Sequence, residues 1–581
     1  MVAVRPGFTK YAKLLQSPPE IIIHILSYLD WRQLLSAQTI SRSFLELIRS
    51  SLELRYIIEL GADDLVHNVD KSSRPLTTQD RLTLLLDRRR RWRTLDWTQK
   101  ASIPLPGSCQ AYELVGGVFA KSMRGGGTED TWPPGSRHLI AAWLPTRDDS
   151  HIDAAETMPR VVKDDLGIWT RDFAIDPTQD ILALLEVDPN SQILMHIRTL
   201  STQEIHPLAA ESPLIFPSAP TPEFQLQQQQ IGSYFLQIVG DIIGIFYWHS
   251  GHCLRIWNWQ TGVLLVAEDN MNLPIGCSDL AFLNPRAYMI ACIGDSGTLD
   301  LYEIHDPKPS SLEVEPPTCL LRLRFPEVLP HRQLRTIYTH SSPHLANPEA
   351  LRSPFVQRQD RRIHLIQLQY GELLSYTLYV KNETLLDLMD QVREGRGVAN
   401  HLHTVRMPIS LAHFATPGVP EALRTGRLEK SLSWKRWGPR NTRFLQQDLR
   451  FQWLRYVNGY RVVMPPAVPN APFNNHVHGH TELCIYDFNV HPNRTDDPCD
   501  LDRDGEDTHP QWTYEVRTEE TVLPERELFV EPVVSSLPYA VSRRTGVSGY
   551  TGFMIDEQRL VGMKELTFNG PSACDIDVFT L

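Results

Sequence analysis

Three aspartates at alternating positions are the first residues of this sequence whose spacing could bind a metal ion. The stretch DLDRDG at 500–505 follows these carboxylates with a glycine suited to a sharp turn, as in the first half of a calcium-binding loop. The twelfth position of such a loop is Gln511 here instead of a bidentate glutamate, and Pro498 and Pro510 preclude regular flanking helices. The sequence therefore favours a solvated acidic loop over a calcium site.

Three histidines also alternate, at His476, His478 and His480 in the stretch NNHVHGHTEL. Alternate side chains of a β-strand share one face, and such an arrangement can hold a metal ion. Gly479 makes a turn an equal alternative, and no cysteine or carboxylate lies at the spacing that would complete the ligand set. We interpret these residues as loop histidines and expect no bound metal.

The run RRRRWR at 88–93 is the densest cluster of positive charge in the sequence. It could serve nuclear import or phosphate binding, but cations at the C-terminal end of a helix also interact favourably with the helix dipole. Trp92 and Trp97 would then pack between domains. We favour the interpretation that these arginines stabilise the end of a helix, because the net charge is −12 and no second basic cluster is present. Nucleic acid is therefore not an expected partner.

The sequence contains no recognisable catalytic motif. A Gly-x-Ser-x-Gly turn, a glycine-rich phosphate loop before a helix and a His-Glu-x-x-His pair are all missing. The segment RGGGTED at 124–130 contains a glycine run and is followed by Trp-Pro-Pro at 132–134, which indicates a flexible loop. We therefore expect a protein that is not an enzyme and holds no cofactor.

Length and composition indicate a soluble protein with several domains. A chain of 581 residues predicts two to four domains, and 42% hydrophobic with 22% charged residues is typical of globular proteins. The eight cysteines are scattered without a Cys-x-x-Cys pair, which indicates reduced thiols. Neither a signal peptide nor an apolar run long enough to cross a bilayer is recognisable. We expect a cytoplasmic and/or nuclear protein without a membrane partner.

The periodicity of hydrophobic residues changes near residue 105. From Leu14 to about Leu65, and again in TQDRLTLLLDRRRRWRTL, apolar residues recur three and four positions apart, which predicts helices. Thr78 is a candidate helix cap and Gly61 a candidate helix stop. Beyond residue 105, short β-prone runs such as YELVGGVFA and ILALLEV are bounded by turn residues, which favours a sandwich, barrel or propeller.

A repeated pattern favours the propeller among these folds. The segments 170–186 and 277–294 both place an aspartate before an alternating strand, a turn and a second strand, and 254–266 reads as strand, Thr-Gly turn, strand. This resembles the WD-repeat family of β-propellers, although the pair Trp257-Asn258 stands where that family has Trp-Asp. The resemblance implies a propeller, and the residue count is compatible with six to eight blades.

The first helices have recognisable start signals. Ser17 is predicted to cap the first helix and to form a capping box with Glu20, with Pro18 at the first helical position. Asp30 is predicted to cap a second helix, with Gln33 at the third position. The first helix carries a broad apolar stripe formed by Ile21, Ile22, Ile25, Leu26 and Leu29.

These short helices need tertiary partners. Burial of a Leu or Ile side chain is worth about 1.5–3 kcal/mol, so several exposed ones would cost more than a small domain tolerates. The helices could form a cap that packs only on the chain's own β domain, or half of an interface with another protein. Periodicity alone leaves both interpretations open.

The stretch PPEIIIHILSYLDWRQLLSAQTISRSFLELI resembles an F-box. Ile40 stands for the usual valine, Arg42 matches the arginine and Phe44 stands for the tryptophan, while Ser17 and Ser41 replace a leucine and a cysteine. The resemblance implies that these helices bind a Skp-type adaptor. The implied contact residues are Pro18, Pro19, Glu20, Ile21, Ile25, Leu26, Leu29, Leu34, Leu35, Ile40 and Phe44.

The same resemblance implies a role in protein ubiquitination. F-box proteins are substrate-recognition subunits of SCF ubiquitin ligases, in which the adaptor links them to a cullin and the rest of the chain binds a protein substrate. The whole chain also looks like fungal F-box proteins with a C-terminal WD-repeat-like propeller, on the strings RRRRWRTLDW, CQAYELVGGVFAKSM, RDFAIDPTQD and YTGFMIDEQRLVG. A non-enzymatic scaffold whose helices only cap the propeller is the alternative.

The expected fold class is α+β and multidomain, a small helical module followed by a large all-β domain. We expect a tail at 1–13, the F-box module at 14–60, a helical linker at 61–105 and the propeller at 106–581. Long polar loops are expected within the propeller near 340–360, 390–440 and 490–512.

Overall fold

The computed structural model has two compact units. It describes residues 17–68, 76–105, 107, 109–123, 135–146, 160–163, 165–188, 192–216, 234–248, 251–270, 272–294, 296–306, 316–351, 353–372, 374–406, 428–447, 449, 454–465, 482–491, 512–525, 527–564 and 574–581. The helical unit lies within 1–96, 348–358 and 491–510, and the β unit within 97–347, 359–490 and 511–581.

The helical unit contains five α-helices and a two-stranded sheet in its described residues. The helices are α1 (Pro19–Leu26), α2 (Trp31–Gln38), α3 (Arg42–Ser50), α4 (Leu52–Ala62) and α5 (Thr78–Thr94). The strand Leu65–His67 pairs antiparallel with Phe355–Gln357. The second strand lies in the segment near 340–360 that was expected to be a polar loop, and Phe355 packs in the core of the helical unit.

Helix α1 begins one residue later than the sequence predicts. Its N-cap is Pro18, no side chain caps it, and the Pro18 carbonyl accepts hydrogen bonds from the amides of Ile21 and Ile22. The predicted capping box between Ser17 and Glu20 is therefore wrong. The physical reason is Pro19, because a residue before proline is driven out of the helical region, and Pro18 accordingly has an extended ψ of 141°.

Two other helix starts contain capping boxes. The Asp30 carboxylate accepts hydrogen bonds from the amides of Arg32 and Gln33, and the Gln33 side chain accepts from the Asp30 amide, as predicted. Helix α5 is capped by Thr77 together with Asp80, so the cap predicted at Thr78 lies one residue too late. Thr77 is the N-cap because its hydroxyl accepts a hydrogen bond from the Asp80 amide. The Asp80 carboxylate, three residues later, accepts one from the Thr77 amide.

Gly61 does not end its helix, contrary to the prediction. It lies in the last turn of α4, which ends at Ala62, and the left-handed conformation comes at Asp64 with a φ of 54°. A Cβ atom at Gly61 would overlap with Cδ1 of Trp31. Glycine is therefore required here by the close approach of the Trp31 ring to α4, and not by the helix terminus.

Gly61→Ala is expected to lower the free energy of unfolding of the helical unit by about 1–3 kcal/mol, because the new methyl group overpacks against Trp31. The higher helix propensity of alanine alone would raise the free energy of unfolding by about 1 kcal/mol. The sign of the measured change therefore distinguishes overpacking from helix propensity. Urea unfolding followed by circular dichroism measures the change. In the double variant Gly61→Ala with Trp31→Ala, the loss in free energy of unfolding should differ clearly from the sum of the losses in the two single variants. A loss equal to that sum would contradict the contact between Gly61 and Trp31.

The β unit forms a seven-bladed propeller arrangement in the described residues. Blade 1 contains Cys109–Val115, Val118–Met123, His138–Trp143 and Arg160–Lys163. Blade 2 contains Thr170–Asp176, Ile181–Val187, Ile193–Thr199 and Leu214–Ile215. Blade 3 contains Tyr234–Val239, Ile242–Trp248, His252–Asn258 and Val263–Glu268. Blade 4 contains Cys277–Asn284, Ala287–Cys292, Thr298–Glu303 and Thr318–Arg324, extended by Leu428–Leu432 and His403–Arg406.

The remaining blades complete the arrangement. Blade 5 contains Leu334–His340, Ile363–Tyr370, Leu374–Lys381 and Thr442–Gln446. Blade 6 contains Val457–Asn458, Arg461–Val463, Glu482–Asp487, Tyr539–Thr545 and Trp512–Arg517. Blade 7 contains Gly552–Ile555, Arg559–Met563, Cys574–Thr580 and Gln99–Leu105. A small hairpin-like pair joins Thr521–Leu523 to Val533–Ser535.

Blade 7 joins the beginning of the β unit to its end. The strand Gln99–Leu105 pairs antiparallel with Cys574–Thr580, in a register that places Ile103 opposite Ile576. Residues 99–105 therefore do not belong to a helical linker as expected. Their alternating burial marks a strand, and Pro104 is tolerated because the strand lies at the edge of its sheet. This pairing closes the ring with main-chain hydrogen bonds.

The segment near 390–440 is more structured than a polar loop. Its described residues continue α6 (Asn382–Arg393) into a 3₁₀ turn at Gly397–His401 and include α7 (Trp434–Asn441). Trp434 and Trp437 of α7 are buried in the core between blades 4 and 5. The sequence missed α7 because it is only eight residues long and Pro439 interrupts it. Residues 492–511 of the third expected loop lie outside the described residues.

Candidate functional site

Helices α1 to α3 form their own small core and also leave an apolar surface exposed. Ile22, Leu26, Leu34, Phe44 and Ile48 pack together in that core. A second set of large apolar side chains is 40–78% exposed, and we call it the apolar patch: Ile21, Ile25, Tyr28, Leu35 and Ile40. Large apolar side chains that stay exposed on helices with a core of their own are typical of an interaction surface.

The structure divides the broad apolar stripe predicted on the first helix into two faces. Ile22 and Leu26 are four residues apart and buried, whereas Ile21 and Ile25 have the same spacing and are exposed. Tyr28 continues the exposed face, at positions i+3 from Ile25 and i+7 from Ile21, although the sequence analysis did not select it. The spacing of Tyr28 from Ile25 and Ile21 could have identified it as part of the exposed face from the sequence.

The predicted contact residues separate by their exposure. Pro18, Pro19, Glu20, Ile21, Ile25, Leu35 and Ile40 are exposed, and Leu29 is partly buried. Leu26, Leu34 and Phe44 are buried, so in this chain they support the helices from inside. Direct contact with an adaptor stays a prediction for all of these residues.

The basic run at 88–93 is engaged within the helical unit. Arg89 is buried and donates hydrogen bonds to the carboxylates of Asp63 and Glu59 at 2.9 and 2.6 Å. Burial opposes the charge of Arg89, but these two carboxylates raise its pKa above the ordinary value. Arg91 pairs with Asp87 at 2.9 Å. These contacts agree with the structural interpretation of the run.

The tryptophans near this run have separate roles. Trp92 is buried in the helical unit. Trp97 belongs to the β unit, where its ring lies 4.8 Å from that of Phe579 and the Arg544 guanidinium lies 4.0 Å over it. This contact between the start and the end of the β unit accompanies the closure of blade 7.

The first strands of blades 1 to 6 line a cavity of about 830 Å³ within the β unit. Its wall combines charged side chains with aromatic ones. The charged and polar members used below are Glu113, Arg171, Asp172, Asp279, His340 and Arg455, and the aromatic members are Phe235, Phe246, His252 and Tyr338. A large cavity with a few convergent polar groups is a typical ligand site.

Irregular pairing accompanies two acidic side chains of the cavity. The register shifts between Thr170 and Asp172 in blade 2, and between Cys277 and Asp279 in blade 4. Such bulges change the direction of a side chain. Each aspartate accepts a hydrogen bond from the amide of the following residue at 2.8 Å. These aspartates are the ones that the sequence pattern identified.

The charges of the cavity are arranged in pairs and hydrogen bonds. Arg455 donates two hydrogen bonds of 2.6 Å to the Glu113 carboxylate, a bidentate pair. Asp279 also accepts from the amide and hydroxyl of Thr339 in the neighbouring blade, at 2.5 and 3.0 Å. Burial raises the pKa of Asp172 to about 7 and that of Asp279 to about 6, although both border the cavity.

The free energy of unfolding is expected to change with pH differently in Asp172→Asn and in the original chain. The pKa of Asp172 is raised by burial to about 7 from an unfolded value near 3.8, so its stabilising contribution is complete below pH 4 and is lost as the pH rises through 7. Asparagine does not titrate. The variant should therefore gain stability relative to the original chain between pH 5 and 8, as urea unfolding would show.

Asp387→Asn is the control for this measurement, because it removes a negative charge from an exposed position of α6. If Asp172→Asn shows no larger pH-dependent gain than this control, the Asp172 carboxylate is not desolvated by the cavity.

The candidate metal residues of the sequence lie outside the described residues. This applies to the acidic loop at 500–505 and to His476, His478 and His480. Within the part of the chain that is described, no three His, Cys, Asp or Glu side chains are grouped to hold a metal ion. No helix in the same residues combines the length and apolar character needed to cross a membrane.

Comparisons with known proteins identify the N-terminal helices. Residues 18–56 match the family described as F-box-like. No curated protein shows significant similarity to the sequence.

Three solved structures that match the chain do so with low identity and low TM-scores. They include the uncharacterized protein lmo1340 from Listeria monocytogenes EGD-e, with 8% identity, a TM-score of 0.25, and coverage of 48% of this chain and 66% of that chain. A chain of the mitotic checkpoint complex matches with 10% identity, a TM-score of 0.24, and coverage of 55% and 70%. A chain from a structure of the eukaryotic initiation factor matches with 11% identity, a TM-score of 0.20, and coverage of 47% and 76%.

Proposed function

We propose that this chain, whose residues 18–56 match the F-box-like family, is the substrate-recognition subunit of an SCF-type ubiquitin ligase. The helical unit binds a Skp-type adaptor and, through it, a cullin. The propeller binds a protein substrate. In this role the chain is an adaptor without a catalytic step of its own, and it acts in the cytoplasm and/or the nucleus.

The observation that carries the proposal is the apolar patch, which lies within the F-box-like segment. Its five side chains are exposed although the same helices contain a complete small core. If these helices packed only within their own unit, polar residues at positions 21, 25 and 28 would make its surface more soluble than Ile21, Ile25 and Tyr28 do. An apolar helical face of this kind suits an obligate or long-lived protein interface.

The test is complex formation between the purified full-length chain and a purified Skp-type adaptor. Size-exclusion chromatography and titration calorimetry should show a complex with a dissociation constant below about 1 μM, as expected for a stable apolar interface. Absence of binding at micromolar concentrations of both proteins would overturn the proposal and favour the scaffold alternative.

A further inference from the structure

We propose that the propeller cavity binds a lysine or arginine side chain of a peptide segment, with Asp172 as the carboxylate that receives the cation. This assignment names the class of substrate segment and rests on the proposed function, in which the propeller is the substrate-binding unit.

The proposal begins with the acceptor capacity of the cavity carboxylates. Glu113 is occupied by its bidentate pair with Arg455. Asp279 uses both of its oxygens, one for the Leu280 amide and the other for the amide and hydroxyl of Thr339. Asp172 accepts from the Phe173 amide through Oδ1 only, and no donor among the described residues reaches its Oδ2. Asp172 therefore has an unused acceptor oxygen at the cavity wall.

The net charge of the cavity also favours a cation. Three carboxylates, of Glu113, Asp172 and Asp279, face two guanidinium groups, of Arg171 and Arg455. The cavity histidines do not change this balance near neutral pH. Burial lowers the pKa of His340 to about 4, with a contribution from Arg455, and burial lowers that of His252 as well. Above pH 7, where the Asp172 carboxyl is ionised despite the raised pKa of about 7, one negative charge among the described residues of the cavity has no matching positive charge, and a bound cation would itself favour that ionised form.

The aromatic wall suits the stem of a long basic side chain. Phe246 and His252 stack with ring centroids 4.8 Å apart, and Phe235 borders the same cavity. Tyr338 is about half exposed there, so its ring is accessible to a ligand. Lysine and arginine place an aliphatic stem against such surfaces and their charged group against a carboxylate or a ring face. A carboxylate oxygen with no donor among the described residues, surrounded by an apolar wall, suits a lysine or arginine side chain.

A phosphorylated segment fits this cavity less well. A phosphate group binds best to uncommitted arginine donors, but Arg455 already directs its Nε and one terminal nitrogen to Glu113. Binding of phosphate there would require that pair to open and would place a dianion near Asp172 and Asp279. Phosphopeptide binding is therefore an outcome that the experiment must distinguish.

The experiment measures binding of four fluorescent decapeptide pools to the full-length chain by fluorescence polarisation, with no adaptor present. The pools are randomised except for the central residue, which is arginine, lysine, citrulline or phosphoserine. Citrulline keeps the shape of arginine without its charge. We expect the arginine or lysine pool to bind at least about tenfold more tightly than the citrulline pool, as for the loss of one charge-assisted contact.

Asp172→Asn should abolish the preference for the charged pools, whereas Asp387→Asn should retain it. Circular dichroism of both variants shows whether the fold is kept. Tighter binding of the phosphoserine pool, an unchanged preference in Asp172→Asn, or no binding by any pool would overturn the cavity assignment. Because the assay contains no adaptor, none of these outcomes bears on adaptor binding, and a failure of adaptor binding leaves the cavity assignment intact.

Discussion

Replacing both Ile21 and Ile25 with aspartate should weaken binding of a Skp-type adaptor by at least about 100-fold, provided that the apolar patch is the interface. Both side chains are about half exposed in the chain and lie one helical turn apart on α1. Each isoleucine has about half of its side chain left to bury, which is worth about half of the 1.5–3 kcal/mol of a full burial, and a buried aspartate without a partner adds a desolvation cost of at least about 1–3 kcal/mol. Two such changes exceed the 2.8 kcal/mol or so that corresponds to a 100-fold loss.

The choice of these two positions keeps binding separate from folding. Leu26, Leu34 and Phe44 are buried in the core of the helical unit, so aspartate at any of them would unfold it. Titration calorimetry measures adaptor affinity, and circular dichroism shows that the helices are retained. Ile205→Asp is the matched control, because Ile205 is an exposed isoleucine of the β unit. Equal affinities of the double variant and this control would show that the adaptor binds elsewhere.

Asp300→Ala should lower the free energy of unfolding of the β unit by about 3–5 kcal/mol, because it leaves a buried arginine without its counter-ion. Asp300 and Arg322 are cross-strand neighbours in blade 4, and both are almost completely shielded from solvent. Arg322 donates through Nε to Oδ1 of Asp300 at 2.7 Å and through a second nitrogen to the other oxygen. Removing the carboxylate takes these two hydrogen bonds from a guanidinium that is shielded from water.

The comparison that identifies the cause is the double variant Asp300→Leu with Arg322→Met. It removes both charges, so it should recover most of the lost stability. Asp165→Ala, which breaks an exposed pair with Arg137, should cost far less stability, because solvent screens that pair. Urea unfolding of the β unit, followed by tryptophan fluorescence, measures all three. A loss in Asp300→Ala no larger than that in Asp165→Ala would contradict the role of the buried pair.

The sequence predicted those features that depend on neighbouring residues. The Asp30 capping box follows from Gln33 three positions later, and the structure contains it. The change from helical to β periodicity near residue 105 separated the helices from the propeller strands, and the repeated aspartate pattern pointed to the propeller fold. Seven blades lie within the predicted range of six to eight. Caps and periodicity could be read because they act over a few residues.

The errors arose where distant residues compete with a local signal. Gly61 looked like a helix stop, yet its lack of a side chain makes room for Trp31 of another helix. Residues 99–105 looked like the end of a linker, yet they pair with the strand Cys574–Thr580 at the other end of the sequence. The starts of α1 and α5 are exceptions, because the effect of Pro19 on Pro18 and the pairing of Thr77 with Asp80 are local and could have been recognised from the sequence.

The sequence by itself determined that the N-terminal helices carry more apolar residues than short helices can leave exposed to water. It also determined that Asp172 and Asp279 occupy equivalent positions in two repeats. Only the tertiary structure decided that Ile22 and Leu26 are buried while Ile21 and Ile25 are exposed. It likewise decided that Asp172 keeps an oxygen that no described residue reaches with a donor, whereas Asp279 accepts hydrogen bonds from Thr339. The physical reason is that exposure and hydrogen-bond occupancy depend on neighbours from other helices and blades, which are far away in the sequence.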